Sequence, residues 1–98
     1  MEIVAKPSLG VTIAGLYTFF EHAKSNGYPI YKHDDYKNLC LFKWNGWKVD
    51  NCFLKQSDST VGLIRARVSP FYPQDTGPKW SYYNSKDTLD PAIVVKCA

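Results

Sequence analysis

Leu39-Cys40-Leu41-Phe42-Lys43-Trp44-Asn45-Gly46-Trp47-Lys48-Val49-Asp50 is the stretch on which the fold of this chain turns. Asn-Gly between alternating apolar and polar residues is a strong hairpin signal, because both central residues of a two-residue type I′ turn need φ > 0. With Asn45-Gly46 as that turn, Trp44 is expected opposite Trp47 and Phe42 opposite Val49, with Lys43 opposite Lys48 on the other side. One face of the hairpin would be aromatic and the other basic.

Strand signals continue on both sides of this hairpin. Gly62-Leu63-Ile64-Arg65-Ala66-Arg67-Val68 alternates, so Ile64, Ala66 and Val68 are expected inward and Leu63, Arg65 and Arg67 outward. Trp80-Ser81-Tyr82-Tyr83 and Ala92-Ile93-Val94-Val95-Lys96-Cys97 are further strand candidates, separated by the turn-rich run Asn84 to Pro91. Between Val68 and Trp80, the segment Ser69 to Lys79 carries Pro70, Pro73 and Pro78, and residues without a backbone N–H argue against a central strand. A long loop is the expectation there.

The first third reads in two ways. Ile13, Leu16, Tyr17 and Phe20 fall at helical spacing with Asn26-Gly27 as a stop, which predicts a short helix near residues 13–25, although Gly15 weakens it. The competing reading pairs a strand at Leu16-Tyr17-Thr18-Phe19-Phe20 with a second at Tyr28-Pro29-Ile30-Tyr31-Lys32-His33.

Composition agrees with a β fold. The 98 residues include 7 Tyr, 5 Phe and 3 Trp, are 45% hydrophobic and 21% charged, and suit one globular domain, residues 1–98, with a single core. The expected class is all-β: a small antiparallel sheet, sandwich or open barrel of about six to eight short strands, with room for the one short helix. No apolar run approaches the ~20 residues of a bilayer span, so no membrane role is expected. The formal charge of +3 is small and Lys alternates with Asp, which speaks against strong nonspecific nucleic-acid binding. Met1-Glu2-Ile3 opens without a basic, apolar leader, so the chain is expected to be intracellular or a mature segment of a secreted protein.

The order Gly15-x-Tyr17, Asn26-Gly27-x-Pro29-x-Tyr31-x-His33, Trp47, Trp80 and Asp90-Pro91 resembles Tyr/Trp-rich β modules that recur in uncharacterised mosaic and secreted proteins of marine invertebrates and protists. The likeness covers roughly residues 13 to 97 and is one of pattern. It implies an all-β module ending in a strand that carries Cys97, with no established activity or catalytic residues, and it favours strands in the first third. Thr18-Phe19-Phe20-Glu21-His22-Ala23 departs from it in being more apolar.

Candidate chemistry is sparse. His33-Asp34-Asp35, with His22 eleven residues earlier, supplies no third ligand at metal spacing, so neither a metal nor another cofactor is expected. The plainer reading has Asp34 and Asp35 bonding local amides in a turn at the end of a strand. Cys40, Cys52 and Cys97 lack C-x-x-C spacing, and no basic neighbour favours a thiolate nucleophile. One disulfide with one free thiol stands against three reduced core cysteines. Under a two-residue turn Cys40 faces Asn51, so a bridge to Cys52 needs a bulge, and Cys97 bridging either of them competes equally.

The aromatic set is the richer signal. Trp44, Trp47, Phe71, Tyr72, Trp80, Tyr82 and Tyr83 exceed the needs of a small core, and rings beside polar groups stack on sugars or bases. Phe71 and Tyr72 in the proline-rich loop are the leading contact residues, followed by Trp80, with Lys43, Lys48, Arg65 and Arg67 to orient an anionic group. A non-catalytic extracellular binding or interaction module for a glycan or partner protein is therefore expected. The rivals are a single-stranded nucleic-acid binder, a hydrolase or metal enzyme using His33, Asp34 and Asp35, and a structural repeat unit.

Overall fold

The computed structural model describes residues 1–5, 13–24, 26–43, 46–52, 64–68, 70–83 and 87–97. Among these, nine strands run Glu2–Val4 (β1), Gly15–His22 (β2), Pro29–His33 (β3), Leu39–Lys43 (β4), Trp47–Asn51 (β5), Ile64–Ala66 (β6), Trp80–Tyr83 (β7), Asp87–Leu89 (β8) and Val94–Lys96 (β9). Every neighbouring pair is antiparallel, in the order β8-β7-β6-β5-β4-β3-β2-β1-β9, and the sheet curls into a half-barrel. The fold is all-β as expected, and the helix considered for residues 13–25 is replaced by strand β2. Apolar spacing in that stretch suits either element; alternation decides it, with Tyr17 buried between exposed Leu16 and Thr18.

The β4–β5 hairpin forms, but its register differs from expectation. Lys43 pairs with Trp47, Phe42 with Lys48 and Cys40 with Asp50, so three residues separate the last paired positions rather than two. Trp44 and Asn45 lie outside the described residues. Gly46 has φ +97°, and a Cβ there would sit 2.2 Å from the Ala66 carbonyl oxygen, so the chain can pass this close to β6 only as glycine. One extra turn residue reverses the face of everything after it. Lys43 and Lys48 are consequently not opposite each other: Lys43 shares Trp47's face, while Lys48 lies on the other.

The Trp47 face carries the main core, in which Ile3, Tyr17, Leu41, Val49, Ile64, Ala66 and Trp80 are all buried. Ile64 and Ala66 point inward as read from the alternation, with Val68 packed on the same cluster, whereas Leu63 is outside the described residues. The opposite face holds a smaller cluster of Ala23, Ile30, Cys40, Phe42 and Cys52. Cys40 and Cys52 are bridged there across a Cα separation of 5.0 Å, and Cys97 is a free, exposed thiol. The bridge needs no bulge between its partners: with Cys40 opposite Asp50, Cys52 is the next residue along on the same face.

Two further departures concern the C-terminal half. Asp87–Leu89 forms strand β8 within the run read as turn, and a short 3-10 turn, Pro73–Thr76, sits inside the proline-rich loop. That 3-10 turn packs against β9, the strand at the far end of the sheet from β7. The loop thus spans the curl and covers the core. Asp90 closes the approach to β9: its carboxylate accepts from the Ala92 amide at 3.0 Å and its carbonyl from the Ile93 amide at 3.1 Å.

Candidate binding site

The proline-rich loop is held at both ends by buried tryptophans. Trp47 Nε1 donates to the Pro70 carbonyl at 2.7 Å, and Trp80 Nε1 donates to Thr76 Oγ1 at 2.7 Å. The Thr76 hydroxyl donates in turn to the Pro73 carbonyl at 2.8 Å. Each indole is buried as an apolar body and satisfied through its one polar atom, as a Trp in a core requires. Trp80, expected among the contact residues, has 0% of its surface exposed and is a core residue that fixes the loop.

Between these two anchors, Phe71 and Tyr72 stand 48% and 49% exposed. Their rings are perpendicular at 4.8 Å, and Phe71 lies against Tyr28 at 5.3 Å with a 34° tilt. Tyr28 meets Trp47 edge-on at 6.1 Å and carries the Lys43 ammonium 4.7 Å from its ring centroid. The Asn26 side chain fastens this corner, donating to the Lys43 carbonyl at 3.1 Å while accepting from the Tyr28 amide at 2.9 Å. The result is a strip of three rings, Tyr72, Phe71 and Tyr28, with one cation at its end and rigid backing beneath.

The strip continues inward through Tyr31. Burial, then the neighbouring Tyr72 phenol and Cys97 thiol, push the Tyr31 phenol above its ordinary range. Phe19, half exposed, lies edge-on to Tyr31 at 6.1 Å. Tyr28 and Tyr31 were not singled out as contact residues from the sequence, because their neighbours Phe71 and Tyr72 are distant along the chain. The available signal was Asn26-Gly27, which ends the β2–β3 connection and sets Tyr28 at the hairpin base.

The expected cations divide. Lys43 is at the strip, and Arg67, exposed just beyond β6, passes its Cα close to Gly46. Lys48 is 1% exposed on the disulfide face, paired in register with Arg65, so it is not a surface contact. Burial, then the Arg65 guanidinium, hold the Lys48 ammonium below its ordinary range, while Asp50 acts in the opposite direction.

His33 has a structural task. It is buried, with Nε2 3.0 Å from the Ala14 carbonyl and Nδ1 accepting from the Asp35 and Tyr36 amides at 3.0 and 3.1 Å. That pattern makes Nε2 the protonated nitrogen of a neutral ring. The turn at Asp34-Asp35 is therefore capped by the histidine rather than by the aspartates, and Asp34 instead accepts from the Thr18 hydroxyl. His22 lies beside Phe19, at 5.1 Å between rings. Among the described residues no group of three or more His, Cys, Asp or Glu side chains is arranged to hold a metal ion.

Comparison with known proteins found no family model that matches the chain, and no match among curated proteins or solved structures.

Proposed function

We propose that this domain is a non-catalytic extracellular binding module whose Tyr28–Phe71–Tyr72 strip stacks on a glycan. The carrying observation is that Phe71 and Tyr72 are half exposed and yet sit between two loop anchors made by buried indoles. Large apolar surface held rigidly in solvent loses little conformational freedom on binding, which favours a ring-shaped ligand over hydration. Lys43 beside Tyr28 adds a donor for a hydroxyl or an acidic group on a sugar. The Cys40–Cys52 bridge supports a location where disulfides persist.

Single-stranded nucleic acid is the weaker reading, since phosphate tracking needs a run of accessible cations and Lys48 is turned into the disulfide face. An array of glycans and oligonucleotides, probed at two salt concentrations, tests the choice. Glycan binding that persists at the higher salt is expected, and each of Phe71→Ala and Tyr72→Ala should weaken it about tenfold. Oligonucleotide binding that collapses with salt would favour the rival. Silence from both classes, with capture of a protein ligand by the same two residues, would shift the reading to a partner protein.

A further inference from the structure

The cation at the end of the aromatic strip has a ring for a neighbour and, among the described residues, no carboxylate. Lys43 is half-buried, with its ammonium 4.7 Å from the Tyr28 ring centre, whereas Lys96 is paired with Glu2 at 3.8 Å. An ammonium over a ring has given up part of its hydration, and an anion brought to it restores what water supplied. Hydrogen-bonding capacity is equally one-sided there. An ammonium offers donors and no acceptor. The Asn26 amide, which has both, is engaged by the Lys43 carbonyl and the Tyr28 amide. A sugar hydroxyl placed on the ammonium keeps a proton that needs an acceptor, while a carboxylate brings acceptors only.

Stacking and charge meet at Tyr28. Its ring lies 5.3 Å from Phe71 with a 34° tilt and carries the ammonium. In a uronic acid the carboxylate is bonded directly to the sugar ring, so a unit stacked on Tyr28 sets its charge at the rim of that ring, within reach of Lys43. We propose that the strip binds acidic glycans: a uronic acid unit stacks on Tyr28 with its carboxylate on the Lys43 ammonium, and the adjoining sugar lies over Phe71 and Tyr72. This rests on the glycan reading above and narrows it to one class of sugar. Esterifying the carboxylate keeps the ring and its contact area but removes the charge that Lys43 recognises. Salt weakens one such contact only gradually, in keeping with binding that persists at higher salt.

Calorimetric titration of the full chain tests this, using oligomers of galacturonate, glucuronate, mannuronate and guluronate, each beside its methyl ester, and a sulfated galactan oligomer beside its unsulfated parent. At least one uronate oligomer is expected to bind about fivefold or more tighter than its own ester. Lys43→Gln should abolish that preference and Lys43→Arg retain it, both with the near-ultraviolet circular dichroism of the parent, while Phe71→Ala should weaken acid and ester alike. Equal binding of acid and ester, a preference that survives Lys43→Gln, or a sulfated galactan held as tightly as any uronate would overturn the assignment and leave the glycan reading standing. Binding of the unsulfated galactan with no binding of any uronate would do the same. Binding of none of these sugars would overturn both.

Discussion

The two faces of one sheet are built on different principles. On the Trp47 face, eight strands and the proline-rich loop enclose two tryptophans, two tyrosines and a row of aliphatic residues. On the other face, Ala23, Ile30 and Phe42 surround a disulfide, and a lysine lies buried beside an arginine. A curled sheet of this size has apolar mass for one deep core only. The second face is held by a covalent link instead, which needs no volume. The difference teaches that stability should respond to cavities on one face and to redox conditions on the other.

Removing an anchor from the deep core is the most disruptive test. Trp80→Ala is expected to cost about 3–5 kcal/mol, read from urea unfolding, because it empties a fully buried site and frees Thr76 from its indole donor. It should also release Phe71 and Tyr72, so any glycan affinity should fall with it. The disulfide face is tested next. Cys52→Ser, or reduction, opens a loop whose ends are 12 residues apart in sequence, with an expected loss of about 3 kcal/mol. Cys97→Ser should leave the unfolding midpoint unchanged, since that thiol is exposed and unbridged.

A smaller effect is expected at Gly15, where φ is +138° and an added Cβ would lie 2.8 Å from His33 Nε2. Gly15→Ala should cost about 1–3 kcal/mol and displace the His33 cap, visible as faster exchange of the Asp35 and Tyr36 amides. The smallest effects are in alkaline titration, where the faces differ in sign. On the core face, Tyr17 is buried with its hydroxyl donating to the Ile13 carbonyl, and burial raises its phenol far above the usual 10.0. The unfolded chain loses that proton first, so stability falls as pH climbs past 10.0. Tyr17→Phe should lessen the fall, with Tyr31 leaving a remainder. On the disulfide face Lys48 is held below the usual 10.5, so there the native state loses its proton first and stability rises with pH just beneath that value. Lys48→Met should remove this rise from the plot of urea midpoint against pH.

Strand content was readable in the sequence where alternation was long. Trp47 to Asn51 and Ile64 to Ala66 alternate apolar with polar residues, Leu39 to Lys43 is a short apolar run ending at the hairpin, and each forms a strand. Register was not readable, because Asn45-Gly46 suits a two-residue turn as a local signal, whereas the observed spacing also reflects the approach of Gly46 to Ala66 on another strand. That one-residue error moved Lys48 to the wrong face and made the Cys40–Cys52 bridge look strained. The exposure of Phe71 and Tyr72 was readable because a proline-rich loop runs over the surface. Trp80 was misplaced because a solitary indole reads alike as anchor or contact. Tyr28 was missed because only the folded chain brings it to Phe71.

The pairing of Glu2–Val4 with Val94–Lys96 sets the order of manufacture against the order of assembly. Of the nine described strands, the first made needs the last made as its neighbour, so the seam that completes the half-barrel waits on β9. That seam should close late in refolding, with the amides of Ile3 and Val95 the last to resist exchange in a pulse-labelling time course.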